Sequence, residues 1–261
     1  MATPLKELFG ARELTPRQQK ERRGFLLTIA AGIGVVGLSL AAYVPVVGNW
    51  VRRLRPPGAL SEREFLAACI KCGQCVQVCP VKAIKLADAG DGFGNGVPYI
   101  AARTQACDFS CDAVQCVLAC PTGALTHTLD KKEQTRMGLA KLVRPDACLA
   151  RQGKGFKGVA RGPEFPGLHR YMKVDRWKPI RVAEHPYDVE TCDLCVRECP
   201  IKDAIALEPM SADTNDRRRT PVVKEACVGC GMCEMICPAE PTCIAVEERL
   251  TWQDYIKGAR A

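Results

Sequence analysis

Hydrophobic and polar positions divide the chain into two unlike parts. From Phe25 to Val47 no charge interrupts the sequence, and Lys20, Arg22 and Arg23 stand just before it. Such a run predicts one long apolar helix, enough to span a bilayer at about 20 residues. Beyond Arg55 no long stripe recurs. Apolar residues come in short runs, each a few positions after a Cys-Pro pair: Ala83-Ile84-Lys85-Leu86, Ala124-Leu125-Thr126-His127, Ala204-Ile205-Ala206-Leu207 and Ile244-Ala245-Val246. Return runs such as Pro98-Tyr99-Ile100-Ala101-Ala102 and Pro221-Val222-Val223 follow Gly- and Asp-rich turns, the pattern of short β-hairpins. Leu250 to Ile256 predicts a short amphipathic helix packed on the body.

Cysteines sit at the same place in each unit. Cys69, Cys72, Cys75 and Cys79 before Pro80, and Cys227, Cys230, Cys233 and Cys237 before Pro238, both read C-x2-C-x2-C-x3-C-P. This is the bacterial ferredoxin run for 4Fe–4S clusters, in which three thiolates wrap one cube and the fourth reaches a neighbouring cube. Structural zinc pairs two C-x2-C knuckles across a spacer and needs no third cysteine two residues on. A disulfide framework leaves the strict run unexplained.

Two further groups are looser. Cys107, Cys111, Cys116 and Cys120 precede Pro121, and Cys192, Cys195 and Cys199 precede Pro200. Cys148 is assigned as the missing first member of the latter, although 43 residues intervene. Every first cysteine then follows an alanine (Ala68, Ala106, Ala147, Ala226), and Cys79 to Cys107, Cys120 to Cys148 and Cys199 to Cys227 are each 28 residues apart. A repeated unit explains both regularities. The expected architecture is α+β: two ferredoxin-like domains of two 4Fe–4S clusters each, from four cluster-binding repeats, preceded by an apolar helix. Residues 1–52 form a signal or anchor, and residues 53–261 the four-cluster region. Sixteen of the 17 cysteines are thereby used for four 4Fe–4S clusters. Cys243 is left over where other repeats carry Ala83, Ala124 or Ala204, and reads as a small buried residue ahead of a strand.

Only 6% of residues are aromatic, so bound inorganic cubes substitute for part of the missing core. The formal charge is +8 with thiols counted neutral. An oxidised four-thiolate cube carries about −2, so four would bring the loaded protein near neutrality. Basicity is thus no argument for nucleic-acid binding. The histidines are His127, in an expected strand, and His169 and His185. No G-x-G-x-x-G follows a strand, so neither a nucleotide site nor a catalytic site is seen.

Arg22-Arg23-Gly24-Phe25-Leu26 resembles a twin-arginine export signal, a route that carries folded proteins. Ser39-Leu40-Ala41 is a weak cleavage site, and Trp50 with Arg52, Arg53 and Arg55 suits a membrane interface. The reading leans toward an uncleaved anchor at 25–47. Residues 149–191 interrupt the third group and are basic, with Lys154, Lys157, Arg161, Arg170, Lys173, Arg176, Lys178 and Arg181. They read as a solvated surface loop, or as a docking surface for an acidic redox partner given Phe165, Tyr171 and Trp177.

Several segments resemble the NapG/MauM family of exported ferredoxin-type proteins, its NapG-like members most. They are Arg53-Leu54-Arg55-Pro56-Pro57-Gly58-Ala59, Lys71-Cys72-Gly73-Gln74-Cys75, Cys120-Pro121-Thr122-Gly123-Ala124-Leu125, Arg136-Met137-Gly138-Leu139-Ala140 and Cys148-Leu149 followed by Gln152-Gly153. The last supports Cys148 as a ligand. Two departures stand out: the long insertion, and one extra residue between Cys107 and Cys111. The resemblance implies a periplasmic electron-transfer subunit. It would be exported by the twin-arginine machinery and relay electrons from membrane quinol, through a NapH-like membrane ferredoxin partner, to a periplasmic redox acceptor such as nitrate reductase. Alternatives are an electron-wiring subunit of an exported molybdenum oxidoreductase, or a MauM-like accessory or maturation protein. Motif type, and a resemblance to four-cluster subunits of exported reductases, favour a nested pairing. Cys237 would then join Cys69, Cys72 and Cys75; Cys79 would join Cys227, Cys230 and Cys233. Cys199 would join Cys107, Cys111 and Cys116, and Cys120 would join Cys148, Cys192 and Cys195. The constant 28-residue spacing fits a sequential pairing nearly as well.

Overall fold

A computed structural model describes residues 15–48, 52–88, 91, 94–111, 113–175 and 177–259. Trp50 and Arg176 lie outside them. The chain divides into two compact units, Met1–Trp50 and Val51–Ala261.

The first unit is helix α1, Pro16–Gly48. Its apolar side chains from Phe25 to Leu40 are exposed, and the stretch Pro16–Ala42 is long and apolar enough to cross a membrane. Arg22 and Arg23 lie within the helix.

The second unit holds two copies of one plan. Helix α2 (Glu62–Ala68) leads into the first cysteine group, whose short helix α3 (Gln74–Gln77) starts at Gly73 with φ 74°. Strands β1 (Ile84–Leu86) and β2 (Pro98–Ile100) form an antiparallel hairpin, pairing Ile84 with Ile100. Helix α4 (Gln115–Leu118) carries the second group and packs against α3. The second copy opens with β3 (Gly138–Leu142), which pairs antiparallel with the last strand, β10 (Ile244–Glu248). Between them come the insertion, helix α5 (Leu194–Arg197), the hairpin of β8 (Ile205–Pro209) and β9 (Arg219–Val223), and helix α6 (Met232–Ile236). Helix α7 (Trp252–Ala259) closes the chain, with Lys141 Nζ 5.2 Å from the Tyr255 ring centroid. The expected hairpins form, with one exception. Ala124 to His127 make no strand: Leu125 has a single bridge to Ala59, and His127 sits in a turn. Gly58 and Leu60 hydrogen-bond to Thr126 and Ala124 on either side of that bridge, and the pairing goes no further.

The insertion is a folded structure rather than a solvated loop. Strands β4 (Phe156–Val159) and β7 (Pro186–Val189) pair, as do β5 (Leu168–His169) and β6 (Ile180–Arg181). Phe165, Tyr171, Val182 and Tyr187 are buried, while Trp177, Met172 and Val174 are exposed. The insertion is held to the second group: Leu168 N–H donates to Gln105 Oε1 (2.7 Å), and Gln105 Nε2 donates back to Leu168 O (2.8 Å). Two of the three aromatics thus build its own core.

The two copies meet along the fourth cysteine group. Cys107 N–H donates to Cys230 O (3.3 Å) across the junction, and at the head of the second copy Met137 N–H donates to Val228 O (2.9 Å). Gly229, at φ 72°, lies so close to Gly138 that a Cβ would stand 2.2 Å from its carbonyl oxygen. No other residue type fits there without moving backbone. At the far edge Arg249 donates to Leu60 O (2.5 Å) and pairs with Glu62 (2.9 Å). Buried Arg55 shares that carboxylate (2.5 Å) and donates to Pro98 O (2.9 Å), which gives the Arg55 of the family-like segment a structural task.

Candidate metal centres

Three cavities are each walled by four or more thiols. Cys69, Cys72, Cys75 and Cys120 line the first, with Phe65 and Leu125. Cys148, Cys192, Cys195, Cys237 and Cys243 line the second. Cys199, Cys227, Cys230 and Cys233 line the third. Of the remaining set, Cys116 lies where burial and the neighbouring Cys111, Cys79 and Cys75 all raise its thiol, and Cys111 in turn feels Cys79. Cys107 is raised by burial, by Asp108 and by Cys116.

This arrangement overturns the nested pairing. Cys120 faces the first group and Cys79 the second; Cys199 faces the fourth group and Cys237 the third. Groups adjacent in sequence therefore exchange their last cysteines. The cause is local: α3 packs on α4 and α5 on α6, so each outgoing Cys-Pro turn points at the nearest group along the chain. Similarity of motif carries no information about which helices touch.

The donor sets fit cubes better than single ions. Among the described residues no three of His, Cys, Asp or Glu converge closely enough to hold one metal ion. The thiols instead surround a volume, as ligands of a four-iron cube must. Seven of the 17 thiols are buried and nine half-buried, and many resist ionisation: desolvation pushes Cys75 up to about 11 and Cys192 up to about 12. A coordinating metal deprotonates a thiol outright, so binding releases the protons that burial retains. Peptide N–H groups point at two of these sulfurs, Ala83 N–H at Cys79 Sγ (3.2 Å) and Leu125 N–H at Cys120 Sγ (3.4 Å). His127 serves the same turn, with Nε2 hydrogen-bonded to Cys120 O (2.8 Å).

Three features were not found from sequence. Cys243 is buried, but not as plain filler: its Sγ is 3.3 Å from Cys237 Sγ. Hydrogen bonding with its thiol favours the ionised forms of Cys237 and Cys148, lowering both below the ordinary cysteine value. Second, buried His169 of the insertion sits between Glu198 (Nε2 to Oε2, 3.0 Å) and Asp108 (Nδ1 to Oδ2, 3.5 Å). These carboxylates adjoin Cys199 and Cys107. Third, Cys111 and Cys199 line one open cavity of about 700 Å3 beside the Cys107 to Cys230 bond that joins the second and fourth sets.

A 4Fe-4S dicluster domain matches residues 68–150, and a 4Fe-4S binding domain matches residues 224–245. The ferredoxin-type protein NapG of Escherichia coli (strain K12) is 36% identical over 240 residues, 88% of this chain and 87% of that protein. The methylamine utilization ferredoxin-type protein MauM of Paracoccus denitrificans is 37% identical over 230 residues, 86% of each. The NapG of Haemophilus influenzae is 33% identical over 268 residues, 94% of this chain and 82% of that one. No solved structure matches. With iron–sulfur domains at both ends of the cysteine frame and relatives aligned over most of its length, the chain belongs to the NapG/MauM family of ferredoxin-type iron–sulfur electron-transfer proteins.

Proposed function

We propose that the chain holds four 4Fe–4S clusters on the sixteen cysteines of the four groups. In this reading it relays electrons outside the cytoplasmic membrane, from membrane quinol through a NapH-like ferredoxin partner to a periplasmic reductase. Bound cubes supply one-electron transfer at potentials set by charge, hydrogen bonds and exposure. The chain's part is to fix their order. Groups one and two exchange cysteines, as do groups three and four, and the Cys107 N–H to Cys230 O bond joins the pairs. The resulting series runs one, two, four, three. That junction is the observation carrying the proposal, because without it the molecule would be two separate carriers. Helix α1 with Arg22-Arg23 supports twin-arginine export and anchorage on the periplasmic side.

A second reading has equal footing in the relatives, since one is named for methylamine utilization. The acceptor would then belong to that system. Deleting the gene and assaying quinol-dependent reduction of the periplasmic acceptor in intact cells tests the relay. Loss of reduction, restored by the intact chain, is expected. Unimpaired reduction without the chain would remove the relay role.

A further inference from the structure

The third cysteine set has a fifth thiol. Cys243 is buried in the cavity that Cys148, Cys192, Cys195 and Cys237 wall, with its Sγ 3.3 Å from Cys237 Sγ. A disulfide needs about 2.05 Å, so the contact is not a bond. Hydrogen-bond distance fits it, since sulfur donors and acceptors stand farther apart than oxygens. In the corresponding places Ala83, Ala124 and Ala204 are equally buried and offer no side-chain donor. Cys79, the last cysteine of the first group, accepts the Ala83 N–H, and Cys120, the last of the second, accepts the Leu125 N–H with the Thr122 hydroxyl 3.8 Å away; among the described residues neither has a second thiol at its sulfur.

Arginines from other segments anchor the loop that carries this thiol, and Arg103 also pairs with Glu240 of the loop (2.8 Å), which offsets part of their charge. Arg103 donates to Cys237 O (2.9 Å) and Ala239 O (2.7 Å). Arg144 donates twice to Thr242 O (2.9 and 2.5 Å). Thr242 Oγ1 closes onto Ile244 O (2.7 Å), holding Cys243 between two anchored residues. Hydrogen bonds to ligand sulfurs and nearby cations both stabilise the more negative, reduced state of an iron–sulfur centre, and so raise its potential.

We infer that Cys243 is a positioning residue of the third centre, donating its S–H to the Cys237 thiolate and making that centre the easiest of the four to reduce. The direction of flow follows, resting on the relay reading above: the third set is one end of the series, so electrons collect there and leave from there. The potential itself can be measured on purified protein with no partner present, and its failure is therefore separable from failure of the relay.

The test is an anaerobic redox titration followed by electron paramagnetic resonance, with iron counted in parallel. Cys148→Ser identifies the signal of the third centre. In Cys243→Ala the iron content should stay at the wild-type value, and that one signal should move to lower potential. Cys243→Ser keeps a donor and should fall between the two. An unchanged potential in fully loaded Cys243→Ala would overturn the inference. Loss of one centre's iron in both variants would also overturn it, by making Cys243 a ligand rather than a donor. If Cys243→Ala alone loses iron, loaded Cys243→Ser decides: an intermediate, lowered potential upholds the donor role, and an unshifted one ends it.

Discussion

His169 shows how one residue can couple the insertion to the cluster frame. Burial alone would lower its pKa, but hydrogen bonds and charge from Asp108 and Glu198 outweigh that and raise it above 6.5. Asp108 responds in the opposite sense: its burial is outweighed by the hydrogen bonds of His169 and Ser110, and it is held below 3.8. The signs define a window. The histidine's contribution is complete below its ordinary value and is lost as pH rises through the raised one; the aspartate's is complete above its ordinary value and lost as pH falls through the lowered one. Thermal bleaching of cluster absorbance should therefore occur at lower temperature at about pH 9 than at about pH 6. His169→Gln should flatten this difference, and an equal slope in variant and wild type would count against the coupling. None of this was legible in the sequence, because Asp108, His169 and Glu198 are joined only by the packing of the insertion. Cys243 is, as its alanine-like place implies, a small buried residue ahead of a strand; its contact with the Cys237 sulfur six residues earlier depends on how the Cys-Pro turn folds back, which spacing alone does not show.

At the scale of elements, the hairpins β1–β2 and β8–β9 and the strand β10 follow from apolar runs bounded by Cys-Pro and Gly- or Asp-rich turns. The insertion gave no such signal. Its strands are two to four residues long, too short for alternation to register, and its core of Phe165, Tyr171, Val182 and Tyr187 is scattered along the segment. The nested pairing failed because helix contacts, and not motif type, aim the last cysteine of each group. The export role proposed for helix α1 can be tested directly. Changing Arg22 and Arg23 together to Lys keeps charge and helix but removes the paired guanidinium groups. Cluster-loaded protein should then accumulate in the cytoplasm, as cell fractionation would show. Normal appearance of the double variant outside the membrane would end the twin-arginine assignment.

At the scale of the whole molecule, the two ferredoxin-type copies share one apolar core, in which Phe65, Val117 and Leu125 of the first join Leu194, Met232 and Met235 of the second, and a backbone hydrogen bond crosses between them. The Cys107 to Cys230 bond brings cysteine groups from different copies together, while Gly229 packs against Gly138 within the second copy. A formal charge of +8 suits a scaffold built to hold anionic thiolate cubes, each about −2 when oxidised. Arginine side chains carry much of that task inside the body: Arg103, Arg144 and Arg161 all donate to carbonyls near the fourth group. The central claim is that all four groups are filled and form one series. Iron and acid-labile sulfide, measured on the same anaerobically isolated chain, test it most directly. Four cubes require about sixteen of each per chain, whereas a reproducible value of about eight would leave two groups empty and break the series.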